Sequence, residues 1–190
     1  RFALGTLIGL ALGVALSYSR PLERAIYPWL VASQMVPIVA VAPILVLWFG
    51  FTLLPKVLVV ALIGFFPVVV NTIDGLHGVD QEMVNLMRTL GASKARIMRS
   101  VRIPAAAPAV FSGLRVAMAL SVVGAVFGEW VGSSSGLGYL MLAFNNQLAT
   151  VDLFAAVFVL SIVGIALFFL VGVVERLVIP WHEPRARREG

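Results

Sequence analysis

The chain has 190 residues, of which 61% are hydrophobic and only 12% are charged, and its mean hydropathy of +1.02 is typical of a membrane protein. It contains no cysteine, which excludes disulfides, thiol catalysis and cysteine-ligated metals. The net charge of +5 is carried by basic residues at the ends of hydrophobic segments, a pattern typical of membrane topology and not of nucleic-acid binding.

Five hydrophobic segments predict membrane-spanning helices. A helix needs about 20 mostly apolar residues to cross a bilayer, because lipid offers no partner for an unpaired backbone group. The predicted spans are about 2–19, 29–50, 57–73, 109–130 and 153–175. The second span is expected to be kinked, since Pro28, Pro37 and Pro43 interrupt its uncharged run. The sequence therefore predicts an all-α, polytopic membrane helix bundle over residues 1–182 and a cytoplasmic tail over residues 183–190.

Small residues recur at every fourth position on two of the predicted spans. Such a face lets two helix backbones approach closely in lipid. The two sets are Gly5, Gly9 and Gly13 on the first span and Gly124, Gly128 and Gly132 near the outer end of the fourth. We expect both faces to pack within the bundle, with dimerisation as the alternative.

The segment 80–104, between the third and fourth spans, holds five of the fourteen basic residues. Its first half has one apolar helical face, formed by Met83, Leu86, Met87 and Leu90. Asp80 is expected to cap this helix and Gly91 to end it, and a second basic helix is expected to begin near Ser93. So short a helix has no core of its own. Its apolar face must be covered by lipid headgroups, by the spans or, as we favour, by a partner protein.

The distribution of lysine and arginine predicts the orientation. If segment 80–104 is cytoplasmic, that side carries eleven of the fourteen basic residues, and the other side carries Arg1 and Lys56. The eleven are Arg20, Arg24, Arg88, Lys94, Arg96, Arg99, Arg102, Arg176, Arg185, Arg187 and Arg188. Arg115 lies within a span, near its cytoplasmic end. The positive-inside rule therefore places the N-terminus outside and the C-terminus in the cytoplasm.

Polar side chains within the spans mark either a solute path or an interhelical bond, because they are costly in lipid. The candidates for a path are Gln34, Asn71, Thr72 and Glu129. For Glu129 an equal alternative is a position at the outer headgroup level, beside Trp130. Single polar groups of this kind favour passage of a solute over ion pumping.

Two other classes of function were weighed. The letters of a G-x-S-x-G nucleophile motif occur at 132–136, with Ser134 as the nucleophile, but His77 and His182 are expected on the opposite membrane face. A secondary transporter or channel should show inverted repeats or ionisable residues at midspan. No Gly-Lys-Ser/Thr sequence occurs, so the chain is not expected to hydrolyse nucleotide. We expect no catalytic residue, metal ligand or cofactor on it.

The segment 80–104 resembles the cytoplasmic loop of permeases of binding-protein-dependent ABC importers, the type I fold. That loop reads E-A-A, three residues, G, nine residues, I, one residue, L-P. The matching positions here are Asn85, Leu86, Met87, Gly91, Val101, Ile103 and Pro104. The nitrate, sulfonate and taurine branch is similar at Pro37-Ile38, Pro43-Ile44, Leu47 to Gly50, Phe65 to Pro67, Asn71-Thr72, Gly113 to Arg115 and Gly136 to Tyr139. Within that branch, the chain is most similar to permeases for thiamine-pyrimidine or riboflavin precursors.

The resemblance implies a permease subunit of a bacterial-type inner membrane. It would move a small organic nutrient inward by alternating access: a thiamine-pyrimidine precursor, riboflavin, a sulfonate or a nitrate-like solute. The implied partners are cytoplasmic P-loop ATPase subunits that bind ATP and Mg²⁺, an extracytoplasmic solute-binding protein, and a second permease subunit. The two permease subunits are expected to form a homodimer, with a heterodimer as the alternative.

The resemblance also implies which residues contact the ATPase. They belong to a coupling loop over residues 75–108 and are Asp80, Glu82, Met83, Asn85, Leu86, Met87, Arg88, Leu90, Gly91, Ala92, Ser93 and Pro104. Asn85 stands where the family has glutamate. Glu82, one turn earlier, is therefore the alternative for the polar contact.

Overall fold

The computed structural model describes residues 2–181, and the regular elements in this range are helices. The α-helices are α1 (Phe2–Ser17), α2 (Arg20–Ser33), α3 (Ile38–Phe49), α4 (Leu53–His77), α5 (Gln81–Thr89), α6 (Lys94–Ile97), α7 (Ile103–Gly132), α8 (Leu137–Asn146) and α9 (Thr150–Val178). A π-helical segment, Met98–Arg102, joins α6 to α7. The all-α prediction is confirmed. The predicted tail and His182 lie outside the described residues.

Within residues 2–181, three helices are long and apolar enough to cross a membrane. They are α4, with 25 residues, the continuous stretch Lys94–Val131, with 38, and α9, with 29. The bent pair α2 and α3 makes a fourth if it is counted as one span. The 16 residues of α1 extend about 24 Å, less than the roughly 30 Å of a hydrocarbon core. The prediction of five spans is therefore only partly confirmed.

The predicted second span is broken and not merely kinked. The axes of α2 and α3 differ by 90°, and the chain between them runs from Gln34 to Pro37. Pro37 provides no backbone N–H and disfavours helical geometry in the residue before it. Pro28 and Pro43 lie inside α2 and α3 without ending them.

Helix α4 is the centre of the bundle, with α7 packed on one side and α1 on another. The glycines of α1 lie directly against α4. A Cβ atom at Gly9 would come within 2.8 Å of the Phe65 carbonyl oxygen, and one at Gly13 within 2.6 Å of the Thr72 Cβ. Gly5 is equally close to Ala61. The predicted packing of this face within the bundle is confirmed.

The same kind of contact joins α4 to α7. A Cβ atom at Gly113 would lie 2.8 Å from the Pro67 carbonyl oxygen, and one at Gly75 would lie 2.8 Å from the Ala109 Cβ. Gly124 faces Ile63 of α4, so its predicted packing within the bundle is also confirmed. The packing of Gly132 lies outside what the structure describes.

Helix α9 lies at the periphery, and few of its side chains are buried. Among its contacts with α7 is a polar one: the Arg115 guanidinium donates to the Glu175 carboxylate and lies over the Phe168 ring, 5.9 Å from its centre. Arg115, which the sequence placed within a span, therefore has an anionic partner on the neighbouring helix. Such pairing is what makes a charge tolerable at this depth.

Gly9→Ala should destabilise the bundle, because the new methyl group would overlap the backbone of α4. Overpacking of this kind costs roughly 1–3 kcal/mol, which exceeds the gain in helix propensity from replacing glycine. The measurement is the thermal unfolding temperature in detergent. The matched control is Gly164→Ala on α9, where the nearest atom would be 3.7 Å away. Equal shifts in the two variants would contradict the proposed close packing.

Candidate functional site

Both ends of α5 are fixed by local hydrogen bonds. The Asp80 carboxylate accepts a hydrogen bond of 2.8 Å from the Glu82 backbone N–H. At the other end, Gly91 has φ +76° and donates to the Arg88 carbonyl, while Ala92 donates to the Met87 carbonyl. This pair of bonds is a Schellman motif, which needs a residue that tolerates positive φ. The predicted N-cap and C′ residues are confirmed.

Helix α5 packs on a small hydrophobic cluster, which we call the α5 seat. Its buried members are Val79, Val84, Ile97 and Val101, and Met87 and Ala92 pack at its edge. Val84 has no exposed surface at all. The apolar stripe that begins at Met83 does not include Val84, so the sequence prediction left this residue out. Val84 and Met87 form a second i, i+3 pair that would have indicated this seat.

The predicted apolar face of α5 is therefore divided between two surroundings. Met87 is half-buried on the seat, whereas Met83, Leu86 and Leu90 are 52%, 60% and 72% exposed. We call these three side chains the exposed α5 face. The polar residues predicted to contact the ATPase, Asp80, Glu82, Asn85, Arg88 and Ser93, are all exposed. The described part of the chain leaves this apolar surface uncovered.

The second basic helix begins where it was predicted to begin. The Ser93 hydroxyl accepts a hydrogen bond from the Arg96 backbone N–H at 3.3 Å. From Lys94 the helix continues without a break into α7. A proline inside a helix clashes with the carbonyl four residues earlier, and a wider π-helical turn leaves room for the proline ring. The π-helical segment Met98–Arg102 lies just before Pro104. Pro104 thus shapes the helix behind α5 and is not part of the exposed α5 face.

Three of the four path candidates form local contacts. Gln34 is exposed in the break between α2 and α3, and its amide donates to the Ser33 hydroxyl at 3.3 Å. The Asn71 amide donates to the Pro67 carbonyl at 2.8 Å, and the buried Thr72 hydroxyl donates to the Val68 carbonyl at 2.6 Å. Asn71 and Thr72 are thus satisfied by their own helix at its contacts with α7 and α1.

The fourth candidate, Glu129, binds the start of α8. Its carboxylate accepts a hydrogen bond of 2.7 Å from the Gly138 backbone N–H. A negative charge is favourable at a helix N-terminus, where backbone N–H groups are unpaired. Gly136, with φ +119°, turns the chain so that α8 meets this carboxylate. Glu129 therefore has a structural partner that neither sequence interpretation included.

The four path candidates do not form one site within this chain. Asn71 faces Gly113, and an ideal helix places position 129 about 24 Å further along α7. Lys56, near the start of α4, donates a hydrogen bond to the Ser133 hydroxyl. His77 lies at the other end of α4, where its Nε2 is 3.4 Å from a carboxylate oxygen of Glu23. Positions 56 and 77 are roughly 30 Å apart along this helix, so His77 cannot act as a base for Ser134.

Residues 5–188 match the family described as "Binding-protein-dependent transport system inner membrane component". A formylaminopyrimidine transport permease protein, ThiX of Halalkalibacterium halodurans, is 40% identical over 95% of this chain and 72% of its own length. A probable ABC transporter permease protein of Haemophilus influenzae is 44% identical over 87% of this chain and 68% of its own length.

A third relative is the riboflavin transport system permease protein RibX of Chloroflexus aurantiacus. It is 40% identical over 87% of this chain, which spans 62% of its length. The family match covers nearly all of the chain, including the capped helix α5, its seat and the helices behind it. This chain belongs to the family of binding-protein-dependent transport system inner membrane components, the permease subunits of ABC importers.

Proposed function

We propose that the chain forms the membrane path of an importer and that a separate ATPase drives it through α5. The observation that carries this proposal is the exposed α5 face, an apolar surface on a short helix with both ends capped. Large exposed apolar surfaces mark interaction sites. A groove on the ATPase that accepts an amphipathic helix would cover all three side chains.

Two features favour a protein partner over lipid headgroups for this face. Asp80 and Glu82 give the first turn of α5 a negative charge, which anionic headgroups repel. The helix is also held rigidly by Val84 on the α5 seat. Either Glu82 or Asn85, both exposed, is available for the polar contact with the ATPase.

The packing provides a route from α5 to the spans. The α5 seat includes Ile97 and Val101, which belong to the helix that continues into α7. Helix α7 packs along α4, and α4 holds α1. A rigid-body displacement of α5 would therefore move the long helices together, as alternating access requires.

For the solute we propose a nitrogen heterocycle. Two relatives at 40% identity carry names that refer to a formylaminopyrimidine and to riboflavin. Among the path candidates, Gln34 has the geometry for a solute contact, because its amide is exposed at the break between α2 and α3. The other candidates, Asn71, Thr72 and Glu129, would act by holding the helices that line the path.

The partners and the orientation belong to the same proposal. A second copy of the chain would complete the path, and an extracytoplasmic binding protein would deliver the solute. The basic residues of α5, α6 and the π-helical segment favour a cytoplasmic position for that end of the bundle, by the positive-inside rule. The N-terminus would then lie outside and the C-terminus in the cytoplasm.

Leu86→Asp should abolish the association with the ATPase without preventing membrane insertion. A charge buried in an apolar interface is costly, and loss of a central contact of about 2 kcal/mol or more lowers affinity at least about tenfold. The measurement is copurification of the partner P-loop ATPase when the two proteins are produced together. Leu148→Asp is the matched control, since Leu148 is 86% exposed in the loop between α8 and α9. Unchanged copurification in Leu86→Asp would refute docking through α5.

Gln34→Leu should lower uptake while leaving assembly intact. Losing one hydrogen bond to the solute, worth about 0.5–1.5 kcal/mol, slows transport roughly twofold to thirteenfold. The measurement is uptake of radiolabelled riboflavin and of a formylaminopyrimidine into proteoliposomes that contain the whole importer. Gln147→Leu, an equally exposed glutamine beyond α8, is the control. Normal uptake by Gln34→Leu would remove Gln34 from the path.

The orientation can be tested with single cysteines, because the chain has none of its own. Asn146→Cys, at the end of α8 in the connection between the predicted fourth and fifth spans, should react with a membrane-impermeant maleimide on intact spheroplasts. Arg96→Cys should react only after the membrane is opened. Both positions are exposed, so accessibility depends on the membrane alone. The opposite labelling pattern would reverse the proposed orientation.

A further inference from the structure

A basic cavity lies behind α5, on the side away from the exposed α5 face. It has a volume of about 270 Å³, is partly open to the surface and is lined by the end of α1, the start of α2, the end of α4, α5, α6 and the π-helical segment. Four basic side chains line it, one from each of four elements: Arg20, Arg88, Lys94 and Arg102. Val84, Ile97 and Met98 are buried beneath them. We call this space the basic cavity.

The basic cavity concentrates positive charge that the described residues do not neutralise. Within residues 2–181, the ion pairs closer than 4.0 Å are His77 with Glu23 and Arg115 with Glu175. None of the four basic side chains of the cavity takes part in either pair, and the cavity lining over that range includes no carboxylate. Like charges that share a small cavity repel each other, and a bound anion would relieve this repulsion.

The position of the basic cavity corresponds to the membrane interface. Its walls include Ser17 at the end of α1 and His77 at the end of α4, just where these apolar helices stop. Tyr18, an exposed aromatic side chain, also lines it. Aromatic residues are typical of headgroup depth, and basic pockets between spans at the cytoplasmic side bind acidic headgroups.

We propose that the basic cavity is a binding site for a phosphate-bearing anion. Guanidinium groups bind phosphate oxygens through paired, charge-assisted hydrogen bonds, and three of the four basic residues are arginines. The headgroup of an anionic phospholipid is one source of this chemistry, and a small soluble phosphate is the other. The interfacial position favours the phospholipid, whose acyl chains would remain in the bilayer beside α1 and α2.

Such an anion would stabilise the position of α5. It would contact Arg88 on α5, Arg20 on α2 and Arg102 on the helix leading to α7, and so would connect α5 to two other parts of the bundle. This consequence for coupling rests on the proposed function. Binding of the anion does not, because it requires only the chain itself.

The test compares two double variants of the full-length chain, purified in an uncharged detergent. Arg20→Gln with Arg102→Gln removes two cavity charges. Arg96→Gln with Arg99→Gln removes two exposed charges of the same loop that do not line the cavity. The probes are phosphatidylglycerol, phosphatidylcholine and glycerol 3-phosphate. Native mass spectrometry measures bound lipid, and equilibrium dialysis measures bound glycerol 3-phosphate.

We expect phosphatidylglycerol to bind the unmodified chain and the Arg96/Arg99 variant alike, and to bind the Arg20/Arg102 variant at least about tenfold more weakly. Phosphatidylcholine should bind weakly to all three. If glycerol 3-phosphate binds with the same dependence on Arg20 and Arg102, the anion site stands and its ligand is soluble.

Equal weakening in both double variants would overturn the proposal, since general surface charge would then explain binding. The proposal would also be overturned if none of the probes bound the unmodified chain. In that case, loss of ATPase copurification in the Arg20/Arg102 variant would assign the cavity to an acidic partner protein. Leu86→Asp separates the two proposals, because it should release the ATPase while leaving phosphatidylglycerol binding unchanged.

Discussion

The contact on which the site depends is the burial of Val84 between Val79, Ile97 and Val101. A helix of nine residues is not stable alone in water, so its packing determines its position. Because Val84 and Met87 pack on the α5 seat, the exposed side chains Met83, Leu86 and Leu90 are presented at a fixed angle. Without this seat, a displacement of α5 would bend the loops at Asp80 and Gly91 and would not move the helices behind it.

The seat is useful only because the helices behind it are rigidly joined. Lipid provides no hydrophobic force between spans, so close backbone contact and hydrogen bonds must hold them together. Gly9 and Gly13 bring α1 onto α4, and Gly113 brings α7 onto α4. Arg115 and Glu175 attach α9 to the same unit. These contacts explain how a movement at one end of the bundle can reach the other.

The features that the sequence predicted well are those with a local physical cause. A carboxylate before a helix and a glycine after it indicated the ends of α5, and the spacing of Gly5, Gly9 and Gly13 indicated a packed face. The periodicity of the apolar residues does not show which side chains of α5 are covered by the rest of the chain, so it did not predict that Val84 is buried. The partners of Glu129 and Arg115 lie on other helices. Tertiary packing alone reveals them.

Helix α5 lies between two surfaces of different chemistry, and this arrangement has a thermodynamic consequence. Its exposed face is apolar, whereas Arg88 on its other side belongs to the basic cavity. Suppose that an anion in the cavity stabilises the orientation of α5 that the ATPase recognises. Reciprocity then requires the docked ATPase to strengthen anion binding by the same factor. The lipid composition of the membrane would thereby affect how tightly the permease holds its ATPase, without any contact between lipid and ATPase.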